Sequence, residues 1–215
     1  MGESAISVRN VKIKYRCFKK VSLLKSIFAP RKNKKIEYFE AVKGVSFEVE
    51  KGQILGIVGK NGSGKSTLLH CLLQNGYSDS GSVRFEAGTR VGYVEQGFGN
   101  IGSGSLWQFM MNSSPEIPEM RSRLQKLEAQ AADLKPGEEL DKVLDEYASV
   151  TRRYEYIDGY NYETRIKMVL NGLGFTEEVW DKPAQNFSGG QKTRILLAAA
   201  LVKSPDFLIL DEPTN

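Results

Sequence analysis

QILGIVGKNGSGKSTLLHCLL, residues Gln53–Leu73, decides the reading of this chain. An apolar run, Gln53 to Val58, reads as a buried strand and meets a glycine-rich loop, Gly59 to Thr67. A second apolar run with helical spacing follows. Strand, loop, helix is the setting in which G-x-x-x-x-G-K-[ST] marks phosphate binding. Gly59, Gly62 and Gly64 allow positive φ angles, so that the backbone amides of the loop, Asn61 and Ser63 included, can close on phosphate oxygens. The following helix points its positive end at the same anion. Lys65 is placed to set its ammonium on the β- and γ-phosphates. The Ser66 hydroxyl can coordinate Mg²⁺, and Thr67 adds a backbone or hydroxyl contact.

The chain's last residues, FLILDEPTN, run from Phe207 to Asn215. Four apolar residues predict a central parallel strand covered on both faces. Functional groups of open parallel sheets gather at the carboxyl ends of strands. Asp211 is placed there to hold Mg²⁺ or its water, and Glu212 to orient or deprotonate an attacking water. A third motif, FSGGQKTR from Phe187 to Arg194, precedes the helical run ILLAAALV. Ser188 is a natural N-cap, and Gly189 and Gly190 leave room for an anion to approach. The chain therefore carries two anion-binding helix starts, although one nucleotide in one domain needs only the first.

GKNGSGKST, FSGGQ and FLILDEP, in this order, together with Gln96 in VGYVEQ, resemble the ATP-binding cassette (ABC) family over nearly the whole chain. The resemblance implies ATP and Mg²⁺ as cofactors and two cassettes closing head to tail on two ATP molecules. Ser188, Gly189, Gly190 and Gln191 would then meet the γ-phosphate held by the partner cassette. Gln96 would sense that phosphate through Mg²⁺ or the water, joining Glu212 in catalysis and Ser66 and Asp211 at the metal. The family stacks adenine on an aromatic upstream of the phosphate loop, where Tyr38, Phe39 and Tyr15 are the options, and Tyr38 is taken for that contact.

The expected fold is α/β: an ABC-type nucleotide-binding domain with a mostly parallel core sheet, an antiparallel β subdomain and a helical subdomain. Residues 1–215 read as one partial domain. Residues 1–100 hold the N-terminal β part and the loop core, 101–187 a helical subdomain with a helix-pair arm, and 188–215 the FSGGQ helix and the last strand. Ser7 to Lys14 reads as an edge strand, and Ala41 to Val49 as another with a break at Gly44. Apolar residues recur at Met120, Leu124, Leu127, Ala131 and Leu134, and again from Leu140 to Val150. Lys135-Pro136-Gly137 separates these runs, which predicts an antiparallel helix pair. A further helix is expected over Thr164–Leu170. The one histidine, His70, reads as partly buried on the helix after the loop.

Two parts of the chain resemble different branches of the family. From Gly81 on, GTRVGYVEQ and YNYETRIKMVLNGLGF look like the ABC-F branch, whose members carry two cassettes in one chain, many of them acting on the ribosome. Before Gln74, VKIKYRCFKK and YFEAVKGVSFEVEKG look like ATPase subunits of polysaccharide or teichoic-acid exporters. Their helix near the membrane matches the amphipathic insert with Leu23, Leu24, Ile27 and Phe28. The implied partners are a second cassette, with the ribosome or its RNA, or alternatively a transmembrane exporter subunit. In both branches a switch histidine follows the acidic pair, so the chain reads as a fragment that binds ATP more readily than it hydrolyses it.

Composition sets the outer bounds. Hydrophobic residues make up 40% of the 215, enough for a packed core. The net charge of +4 is a weak pointer to nucleic acid, although Lys19, Lys20, Lys25, Arg31, Lys32, Lys34 and Lys35 form a basic cluster. The opening residues lack an apolar signal core, which leads to an expected cytoplasmic location, at most peripheral at the inner face of a membrane. Two cysteines without metal spacing read as reduced thiols.

Overall fold

The computed structural model describes residues 4–17, 37–73, 78–95 and 101–212. The basic cluster, the amphipathic insert and Gln96 lie outside the described residues. The chain divides into two compact units, residues 1–91 and 92–215.

The first unit is built on β1 (Ser4–Cys17), β2 (Glu37–Glu50) and β3 (Ser80–Phe85), an antiparallel sheet in the order β2-β1-β3. β1 is thus the middle strand and not the expected edge. Its second partner, β3, comes from beyond the phosphate loop, and alternation looks the same on an edge and a centre strand when one face is wet. The incomplete alternation of SVRNVKIK has a local cause. Ile6 and Val8 are buried, then Asn10 takes φ +48° as an extra residue, and Val11 inherits the next inward position. The Asn10 amide donates to Ser46 Oγ at 2.8 Å. Gly44 does not break β2. It is a bulge at φ +87°, skipped between the pairs Val11–Val45 and Lys12–Lys43. Helix α1 (Lys65–Leu73) buries Leu68, Cys71 and Leu72 along one face. Burial pushes the Cys71 thiol up, so it is an inert core residue. His70 is exposed on the opposite face, a correction to the partly buried reading, because the apolar positions at i, i+3 and i+4 leave it outward.

The run Gln53–Val58 forms no strand. Ile54 and Val58 are 100% and 97% exposed, and the whole run lies on the surface. Hydropathy states that a segment can be buried; burial itself needs flanking strands that accept its backbone groups. No such ladder is formed by this run among the described residues.

Where the second unit begins, β4 (Val91–Val94) pairs with β5 (Phe207–Leu210), a parallel pair formed across a helical excursion. Of β5 only Ile209 is buried, while Leu210 is 37% exposed. Among the described residues β5 has one partner strand, and its half-exposed residues fall short of the expected burial on both faces.

The helices are α2 (Leu106–Met111), α3 (Glu116–Asp133), α4 (Glu138–Tyr156), α5 (Tyr162–Gly172) and α6 (Gly189–Val202). Leu106, Met110, Leu124, Ile166, Leu170 and Ile195 form the centre of their shared core. Trp180 closes it, stacked on Trp107 at 5.3 Å and donating Nε1–H to the Phe175 carbonyl. α3 and α4 stand on either side of Lys135-Pro136-Gly137, as the periodicity predicts. Among the described residues, no helix is long and apolar enough to cross a membrane.

Candidate functional site

Internal hydrogen bonds and glycine conformations fix the shape of the phosphate loop. Lys60 to Ser63 form a tight turn, closed by the Ser63 amide on the Lys60 carbonyl at 3.1 Å. Gly62 supplies the φ of +81° that the turn needs at its third residue. Gly64, at φ +93°, presses on β2: a Cβ there would stand 2.3 Å from the Ala41 carbonyl oxygen. The first helical hydrogen bond of α1 runs from the Leu68 amide to the Gly64 carbonyl at 2.9 Å. The amides of Lys65, Ser66 and Thr67 therefore precede the helical ladder. Lys65 folds back over the loop, and its Nζ donates to the carbonyls of Gly59 at 2.7 Å and Lys60 at 3.2 Å. Unladdered amides, a glycine cradle and an ammonium at its mouth fit a phosphate group. Asn61, Gly62 and Ser63 are exposed, and Ser66 and Thr67 are half-buried.

Asp211 follows β5 directly. It is 4% exposed, and its amide donates to the Val94 carbonyl at 3.0 Å, extending the β4–β5 ladder. Among the described residues its carboxylate makes no hydrogen bond or ion pair. A carboxylate at the carboxyl end of a strand, on a residue this little exposed, fits a metal-holding role. Burial, foremost, and the carboxylates of Asp211 and Glu95 push the Tyr93 hydroxyl up. Glu212 is half-buried and adopts φ +46°, a left-handed conformation that costs a non-glycine residue about 1 kcal/mol or more.

Ser188 caps α6 as the sequence predicts. Its Oγ accepts from the Gln191 amide at 3.4 Å, and Gln191 Oε1 accepts from the Ser188 amide at 2.9 Å. Gly190 is open, with nothing within 4 Å of the point where a Cβ would stand. Replacing Ser188 by alanine removes one arm of this capping box. The expected loss is about 1 kcal/mol, seen as a lower denaturation midpoint at unchanged slope.

The aromatic candidates sit together where β1 and β2 pair. Tyr15 stands opposite Phe39, and Arg16 opposite Tyr38. All three rings are more than half exposed, Tyr38 most at 60%. Exposure alone leaves each of them open to a planar ligand.

Residues 42–215 match the family model described as ABC transporter. This chain belongs to the ABC transporter family. Among curated proteins, this ABC chain is 36% identical over 171 residues to the tylosin resistance ATP-binding protein TlrC of Streptomyces fradiae, an alignment covering 80% of this chain and 31% of TlrC. It is 33% identical over 187 residues to the ABC transporter F family member 2 of Arabidopsis thaliana, covering 85% of this chain and 27% of that protein. The chain thus spans about a quarter to a third of the length of these relatives. Among solved structures, the ATP-binding cassette MJ0796, a dimer in a post-hydrolysis state bound to ADP and Pi, superposes with a TM-score of 0.61 at 20% identity. That match covers 97% of this chain and 74% of that one, and it shows the fold.

Sequence reasoning missed the close contact of Gly64 with Ala41, because the motif names glycine without naming its neighbour. It also missed a polar, tyrosine-lined cavity in the second unit. The density of tyrosine between Tyr147 and Tyr162 was the available signal.

Proposed function

We propose that this chain is one nucleotide-binding cassette of an ABC-F-type ATPase, binding MgATP and, with a second cassette, hydrolysing it. The observation that carries the reading is Lys65, whose ammonium rests on the Gly59 and Lys60 carbonyls at the mouth of the glycine cradle. Phosphate oxygens offer that ammonium stronger, charge-assisted acceptors than two neutral carbonyls. In this reading Gly59, Asn61, Gly62, Ser63, Gly64 and Thr67 enclose the phosphates, and Tyr38 receives the adenine. Ser66, Gln96 and Asp211 hold Mg²⁺. When bound, the metal supplies charge neutralisation on the phosphate oxygens. Glu212 accepts the proton of the attacking water or orients it, and Ser188, Gly189, Gly190 and Gln191 contact the partner cassette's nucleotide.

The relatives support the ABC-F branch over the exporter branch, because the identity to a named F family member spans most of this chain. The ribosome is the partner this reading assigns, with the cassette working on the cytoplasmic side. Glu212→Gln is expected to slow ATP hydrolysis about 100-fold in the paired cassettes while leaving MgATP affinity within about threefold. It should also trap the ATP-bound form on ribosomes in co-sedimentation. Unchanged hydrolysis by that variant rules out Glu212 as the base. Ribosomes that pellet without the ATP-bound variant rule out the ABC-F assignment.

A further inference from the structure

The second unit contains a cavity of about 330 Å³ between α3, α4 and α5, at the low end of the size range of small-molecule sites. Its charged lining is Arg121, Glu128 and Glu163, with tyrosines, Gln125 and Thr164 completing the polar part. Five of the chain's nine tyrosines fall between positions 147 and 162, and four of those five, Tyr147, Tyr154, Tyr160 and Tyr162, line the cavity.

The chemistry of this wall is one-sided. Arg121 is paired with Glu163, which holds its guanidinium above its usual value through that hydrogen bond. The Tyr147 hydroxyl donates its proton to Glu128 at 2.8 Å, so it turns only lone pairs to a ligand. Glu128 and Glu163 are each engaged by a neighbour through Oε1 alone. Two carboxylates against one guanidinium leave the wall with net negative charge and surplus acceptors.

A second observation points to an occupant. Tyr154 is 4% exposed as a residue, and its hydroxyl, which makes no hydrogen bond among the described residues, keeps surface open at the cavity. Burial, foremost, pushes its hydroxyl up, and Arg121, Tyr160 and Glu163, all cavity-lining, act on it electrostatically. A tyrosine whose ring is this deeply packed ordinarily gives its hydroxyl a partner, water or ligand. Its ring meets Tyr160 edge-on at 4.8 Å. Gly159 makes this possible: a Cβ there would lie 2.4 Å from the Tyr154 ring. Tyr160 is 64% exposed and forms the outer rim.

We infer that this cavity binds a small organic ammonium ion carrying an apolar or aromatic group. The ammonium donates to the free oxygens of Glu128 and Glu163 and lies against tyrosine faces, which attract cations. The apolar group enters between Leu124 and Ile117, which are part of the apolar lining with Met111 and Pro118. The Tyr154 hydroxyl accepts a further N–H. An anion is disfavoured by the carboxylates, and a neutral alcohol offers them only an uncharged, weaker donor than an ammonium. The inference is independent of the nucleotide reading, because it uses none of the phosphate-loop residues.

The test is a titration of the 215-residue chain with 2-phenylethylammonium and, in parallel, 2-phenylethanol, followed by backbone amide shifts. The ammonium is expected to shift amides around Gly159–Glu163, and the alcohol to bind about tenfold more weakly. Glu163→Gln is expected to weaken the ammonium about tenfold and leave the alcohol unchanged. The ion pair it breaks is on the surface, so folding is retained. Glu146→Gln, which breaks the comparable Arg123 pair, serves as the control and should change neither titration. Equal affinity for the two probes, no response of Glu163→Gln, or no shift at about 10 mM ammonium overturns the proposal.

Discussion

Lys65→Ala is expected to lower the affinity for MgATP about 1,000-fold while leaving the thermal midpoint of the unliganded chain almost unchanged. The two effects separate for a structural reason. Among the described residues, the ammonium donates to the carbonyls of Gly59 and Lys60, on an exposed loop where water can take its place. Exposed neutral hydrogen bonds of this kind contribute about 1 kcal/mol or less. With nucleotide, the same ammonium would meet phosphate oxygens, where charge-assisted bonds are roughly twice as strong and long-range attraction adds to them. Calorimetric titration with MgATP and a melting curve on the same sample check both halves. Affinity within about threefold of the parent chain would remove the phosphate-binding reading.

Gly64→Ala is expected to destabilise the chain by about 3 kcal/mol and to abolish nucleotide binding with it. The added methyl would stand 2.3 Å from the Ala41 carbonyl oxygen, a backbone atom that cannot swing aside. The φ of +93° adds a conformational penalty of about 1 kcal/mol or more for any L side chain. Gly190→Ala is the paired control. It meets nothing within 4 Å in the first turn of α6, so stability is expected to hold or rise by up to about 1 kcal/mol. Urea denaturation of the two variants makes the comparison. Equal stability would mean that the loop does not press on β2 as described.

These two glycines show where sequence reading reaches its limit. Both belong to motifs that name glycine, and the motif treats both as room for an anion. Only the packing separates a glycine wedged against a neighbouring strand from one facing open space. Capping behaves in the opposite way. Ser188 and Gln191 are three residues apart, and their reciprocal hydrogen bonds follow from that spacing, so the start of α6 is legible without the fold. The ends of α3 and α4 are legible for the same reason, since Pro136 and Gly137 act on their own backbone.

The chain's own letters determined the three motifs, their order and the helical stretches, because each depends on side chains within a few residues of one another. Tertiary structure alone decided that β1 is a middle strand, that Ile54 and Val58 lie on the surface, that Asp211 is buried without a described partner, and that Arg121 and Glu163 meet beside Tyr154. Each of these depends on a partner far away in the chain. Periodicity reports how a segment is shaped, while burial and charge pairing are set by whatever segment folds against it.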